Sequence, residues 1–287
     1  MTLELNLELW AGDEGEPTII EQKSFDLLSS YLAPDSTIDV SAAAQELHHV
    51  FLECSQGEGP ESLEGLLSEL WDLVGSVAQQ IPFDHRRQDK LVQLLGALKD
   101  VETDITVNVG GKDGKLWKDL PDFDAALTET GNQLSPEPKE RERWISFMIF
   151  QARLTRDNVC DRSYDGLLLL RNTLEQVPDQ RARAHNTQGP VLNSKILVVA
   201  KWISLIGAKY YEACKTGVMP NAALKSIPGG KLWNGGSGHG LSVERWKYWK
   251  ERFAEIKTAE QLEDGTKVVL DEVVEEMDRI EAEYSST

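Results

Sequence analysis

Gln151 and Arg153 lie two residues apart in a segment, Arg141–Thr155, that carries apolar side chains on almost every side (Trp144, Ile145, Phe147, Met148, Ile149, Phe150, Leu154). A helix of that composition is buried all round, and a guanidinium inside it must be paired or must face a cavity. Two readings are open for Arg153. One is a structural ion pair with an acidic neighbour helix; the other is a donor inside a ligand pocket. In the second reading Arg153, Gln151, Tyr210, Tyr211 and His239 supply hydrogen bonds to a substrate carbonyl, which is electrophilic activation. Met148 and four of the chain's eight tryptophans, Trp144, Trp202, Trp233 and Trp246, then form the walls. The plainer reading makes the same aromatics core. A glycine-rich stretch, Met219–Gly240, follows the longest apolar segment, and its residues 229–240 suit a lid that excludes water, or a flexible connection.

Other chemistries fail on spacing. Gly235, Ser237 and His239 miss the nucleophile elbow, which needs glycine at 239. Leu241 stands where a dinucleotide fingerprint needs glycine, and neither Gly110–Lys115 nor Gly229–Lys231 has the lysine and hydroxyl residue of a P-loop. His49 and Glu53 share a helix face beside His48 and Cys54, but HExxH is absent, so no metal site is expected. No DDxxD is present, which argues against a magnesium-dependent terpene cyclase. No cofactor is implied.

The elements that must position these residues read as helices. Apolar side chains recur at helical spacing in 19–33, 41–54, 60–80, 88–99, 141–155, 165–175, 191–214, 241–257 and 266–284. Ser41 suits an N-cap, and Pro34, Pro82 and Pro178 suit helix stops. The segment 191–214 is apolar but contains Lys195 and Lys201, so it reads as a buried core helix and not a membrane span. Residues 101–120 hold weak alternation and two glycine turns, either a small hairpin or a loop. The expected fold is all-α: an N-terminal extension, 1–17, then one multi-helix domain over 18–284, with a subdivision conceivable near 101–135.

Composition bounds the partners. The 48 acidic and 30 basic side chains leave a net charge of −18, which excludes a nucleic-acid binder. The charge is uneven: residues 181–257 hold 13 basic and 4 acidic side chains, a local +9 inside an acidic chain. That block either neutralises acidic helices of the same fold or rims a pocket for a carbonyl-bearing ligand. Cys54, Cys160 and Cys214 are widely spaced and read as reduced thiols of a cytoplasmic protein, and the acidic start lacks the features of a signal peptide.

The segments 68–98, 144–155, AKWISLIGAKYY (200–211), KLWNGGSGHGLSVERWKYWKERF (231–253) and the closing helix with Met277 together resemble a fungal family of helical proteins catalogued as a domain of unknown function. The resemblance implies an intracellular, mainly helical protein, with some members among secondary-metabolite genes, and it carries over no catalytic residues. The expected function is a cofactor-independent tailoring enzyme that folds an apolar polyene for cyclisation or isomerisation, a Diels–Alder-type cyclase in its concrete form. The alternatives are a helical interaction protein and a small-molecule carrier; the expected partner is an apolar small molecule, and a homodimer is compatible with the sequence. An apolar cavity beside Arg153 or Trp233 separates the first and last from the second.

Overall fold

The computed structural model describes residues 6–10, 15–56, 60–176, 189–233, 239–258 and 262–285. The start of the basic block, 181–188, and the centre of the glycine-rich stretch, 234–238, lie outside the described residues, as does most of the segment 1–17. Among the described residues there are ten α-helices, about 68% of those residues are helical, and one two-stranded hairpin is inserted. The chain divides into two compact units, with one boundary at Leu134/Ser135.

The first unit contains α1 (Ile19–Leu32), α2 (Val40–Cys54), α3 (Pro60–Gln80), α4 (Arg87–Lys99), strands β1 (Thr106–Val109) and β2 (Lys112–Lys115), and α5 (Phe123–Gln133). Thr18 and Glu21 close a capping box on α1. The cap of α2 is Asp39, not Ser41: its carboxylate accepts from Ser41 N and Ala42 N, which one hydroxyl would do less well. Gln88 is fully buried, and its amide donates to Ala78 O and Ile81 O at the end of α3, carbonyls that the helix itself leaves open. The 101–120 region is a hairpin, with Thr106 opposite Lys115 and Gly110-Gly111 at the turn.

Buried aromatics knit this unit together. Trp71 packs on Phe123 at 4.8 Å between ring centroids, and Trp117 on Phe51 at 5.2 Å. Trp71 Nε1 donates to Pro121 O and Trp117 Nε1 to His48 Nδ1, both at 2.8 Å. The buried indoles therefore keep their N–H groups satisfied.

Between Arg141 and Arg156 runs α6, whose residues Glu142–Phe150 belong to the first unit and whose residues Gln151–Arg156 belong to the second. The second unit adds α7 (Ser163–Leu174), α8 (Gly189–Thr216), a 3₁₀ turn at Ala222–Ser226, α9 (Val243–Lys257) and α10 (Asp264–Ser285). Within it α8 is long and apolar enough to cross a membrane, and 67% of its most apolar window is buried in the fold, as in a core helix. It packs against α7 and α10. The approach to α7 is close: a Cβ on Gly166 would lie 2.2 Å from Trp202 Cε3 and 2.5 Å from the Tyr210 hydroxyl. The basic side chains of α9 answer the acidic face of α10, through Lys250 with Asp278 and Glu281 and Lys257 with Asp271.

Gly166→Ala should therefore cost at least about 1–3 kcal/mol in urea unfolding, because Trp202 has no room to retreat. A second expectation concerns pH. Burial, with His49 adding to it, holds His48 below the ordinary imidazole range, so its neutral form is the folded one. Its contribution is present above pH ~6.5 and is lost as pH falls through the depressed folded value. Thermal melts from pH 7.5 to 5 should show a steeper loss for the native chain than for His48→Gln; equal slopes would remove the assignment.

Candidate functional site

Glu175 ends α7 as its C-cap and is fully buried, as is Arg245 in the first turn of α9. They form a bidentate pair: Arg245 Nε donates to Glu175 Oε1 at 2.7 Å and Nη2 to Oε2 at 3.0 Å. Each carboxylate oxygen takes a second donor, Oε1 from Trp249 Nε1 at 2.6 Å and Oε2 from Gly230 N at 2.7 Å. Arg245 and Trp249 stand at i and i+4, so the helical period alone puts both on one face. Ser242 fixes the start of α9 by accepting from Arg245 N.

The pair extends into the glycine-rich stretch. Arg245 Nη1 donates to Gly240 O at 2.6 Å, and Leu232 N donates to Glu175 O at 2.8 Å. Pro228 and His239 form an antiparallel bridge, with Gly240 N donating to Ile227 O. Arg171 Nε, from α7, donates to Pro228 O at 2.9 Å. The glycines here answer close approach: a Cβ on Gly230 would sit 2.4 Å from Glu175 O, and one on Gly229 2.1 Å from Trp233 Cδ1. Residues 227–233 and 239–240 are thus held to the helices, which differs from the lid expected over 229–240. A main chain bonded into a buried ion pair does not swing as a unit without breaking that pair.

On this platform Trp233 stands edge-to-face with Tyr248 at 5.3 Å. Tyr248 donates to Leu174 O, and burial pushes its phenol above the ordinary range. The Trp233 Nε1 atom is buried and has no acceptor among the described residues. Trp71, Trp117, Trp246 and Trp249 all donate to protein acceptors.

The other expected site residues fall in several places. Trp144 and Met148 belong to the first unit, and Gln151, Arg153, Trp202, Tyr210, Tyr211, Trp233, His239 and Trp246 to the second. Gln151 Oε1 accepts from Arg162 Nε at 3.0 Å, in a buried polar cluster with Thr155, and Arg162 also pairs with the half-buried Asp165. Arg153 is 9% exposed on the same helix. Tyr210 donates to Ser163 O at 2.6 Å, and burial, with Asp161 and Asp165 adding to it, raises its phenol far above the ordinary range. Tyr211 packs on Trp246 at 5.2 Å and on Tyr284 at 5.6 Å, so these two expected residues do meet. Trp246 Nε1 donates to Glu281, which also takes Lys250. Trp202 is wholly buried against Gly166. His239 is exposed beside Gly240.

Two recesses of the first unit, of about 380 Å³ beside Lys99, Asp104 and Lys115 and about 580 Å³ beside Thr128 and Gln133, touch none of the expected residues. No three ligating side chains converge on a metal position among the described residues. Sequence reasoning missed Glu175, Arg245, Trp249, Tyr248 and Arg171. The available signal was local: Arg245 and Trp249 at helical spacing directly after the glycine stretch.

Residues 71–253, 183 of the 287 positions, match the family described as protein of unknown function, DUF3632, and the chain belongs to that family. The matched interval contains Glu175, Trp233, Arg245, Tyr248 and Trp249. No curated protein and no solved structure matches the chain.

Arg245→Met leaves a buried carboxylate short of two donors and should cost about 3–5 kcal/mol in thermal or urea unfolding. Arg252→Met, which breaks the exposed pair with Glu255, should cost about 0–1 kcal/mol. Faster amide exchange at Gly230 and Leu232 should accompany the first change only.

Proposed function

We propose that this member of the family is a small-molecule carrier: a binding protein whose recognition element is the anchored segment 227–233 with His239 and Gly240. The observation that carries the reading is Trp233. Its indole N–H is buried without an acceptor among the described residues, on a main chain held in place by the Glu175–Arg245 pair. A buried donor left unmatched costs about 1–3 kcal/mol, and a ligand oxygen placed there recovers it. The edge-to-face Trp233–Tyr248 pair offers an apolar wall beside that donor. The ligand that fits is apolar, with one carbonyl or carboxylate.

Binding is favoured over chemistry by how the expected catalytic groups are employed. The Gln151 carboxamide holds Arg162, the Tyr210 hydroxyl is given to Ser163 O, and Tyr211 is stacked between Trp246 and Tyr284. Groups fixed in this way are poor candidates for meeting one substrate together. In this reading the protein works in the cytoplasm of a fungus, in secondary metabolism, where Cys54, Cys160 and Cys214 stay reduced thiols.

Titration of the chain with a panel of aryl ketones and aryl carboxylates, followed by calorimetry, tests the carrier. At least one should bind, and Trp233→Phe, which keeps the ring contact with Tyr248, should weaken it about tenfold. If no compound binds, or if Trp233→Phe binds equally well, the reading falls. Bound compounds should be recovered unchanged by chromatography. Recovery of an isomer of equal mass would replace the carrier with the cofactor-independent cyclase.

A further inference from the structure

Residues 6–10 (Asn-Leu-Glu-Leu-Trp) form an extended segment held on the first unit. Its grip is specific. The side-chain amide of Gln80, at the end of α3, pairs with both main-chain groups of Glu8: Glu8 N donates to Oε1 at 2.7 Å, and Nε2 donates to Glu8 O at 2.8 Å. That reproduces the donor and acceptor pair of a neighbouring β-strand. Two residues on, the Trp10 ring lies under the Arg143 guanidinium, 4.4 Å from its carbon to the ring centroid. Arg143 is itself oriented, since its Nε and Nη2 both donate to Oε1 of the buried Gln79, at 3.1 and 2.6 Å. Leu7 and Leu9 are half-buried and Glu8 is exposed, the alternation of a strand laid on a surface, and in sequence the pattern begins at Leu3.

Three side chains from α3 and α6 thus recognise a main-chain pair and, two residues later, an aromatic face. Neither contact needs the segment to belong to this chain. We propose that Gln79, Gln80 and Arg143 form a binding site for an extended segment of a partner protein with alternating leucines and acidic side chains ending in tryptophan, and that residues 6–10 occupy it as a built-in competitor. An aromatic face under a guanidinium and a two-bond main-chain pair are each worth roughly tenfold or less in affinity. Covalent attachment keeps the internal segment at high local concentration, so a free segment competes poorly until that attachment is loosened.

The test uses the full chain and a fluorescent peptide of residues 3–12, LELNLELWAG, followed by anisotropy. The double variant Glu8→Pro, Trp10→Ala removes the donor to Gln80 and the ring under Arg143. It should bind the peptide at least tenfold more tightly than the native chain, and adding Arg143→Ala should undo that gain while Arg143→Lys retains part of it. Absence of binding to the double variant, or binding indifferent to Arg143→Ala, would overturn the proposal. Should the variants fail to fold, amide exchange in the native chain decides: excess peptide should speed exchange at Glu8, and an unchanged rate counts against displacement. A native dimer that dissolves on adding peptide would mean that a second copy fills the site, which also overturns the internal arrangement.

Discussion

A carboxylate and a guanidinium withdrawn from water must satisfy nearly all of their hydrogen-bonding capacity on protein atoms, or the unit that buries them does not fold. Glu175 and Arg245 impose that constraint on the second unit. The four contacts to the carboxylate come from Arg245 twice, Trp249 and Gly230, and the guanidinium's remaining reach goes to carbonyls of 227, 228 and 240. The end of α7, the first turns of α9 and both limbs of the glycine-rich stretch are therefore one polar assembly. The glycines belong to it because the main chain passes so near Glu175 that a side chain at 230 has no space.

The tryptophans obey the same bookkeeping. Trp71, Trp117, Trp246 and Trp249 each give the indole N–H to a carbonyl, an imidazole or a carboxylate, so their large apolar area is buried without stranding a donor. Trp233 breaks the pattern, on a segment whose main chain is otherwise well anchored. Trp10 breaks it in another way, by offering its face to a cation at the surface. Departures from a rule that Trp71, Trp117, Trp246 and Trp249 keep are where binding is most economically sought.

Much of the fold was legible because helical periodicity is a local property. For the expected helices, predicted and observed ends differ by at most a few residues; α5, Phe123–Gln133, is rich in polar side chains, which blur its apolar stripe. The hairpin was legible as one of two alternatives, through its paired glycines. The candidate site was far less so. Trp233, Arg245 and Trp249 lie in the +9 block, and three of its basic side chains, Arg245, Lys250 and Lys257, meet carboxylates at the end of α7 and on α10. Gln151, Tyr210 and Trp202 were recognised as buried, yet burial says nothing about whether a neighbour or a cavity faces the side chain.

By itself, the sequence determined the helices, the buried character of α6 and α8 and membership of a family. These depend on composition and on spacings of three, four or seven residues, which the backbone converts directly into faces. Only the tertiary structure decided which polar groups pair. Glu175 and Arg245 are 70 positions apart, and Glu8 and Gln80 are 72 apart. No periodicity connects such positions, because their meeting depends on how whole helices are brought together by packing, and each polar group then takes whatever partner that packing leaves within reach.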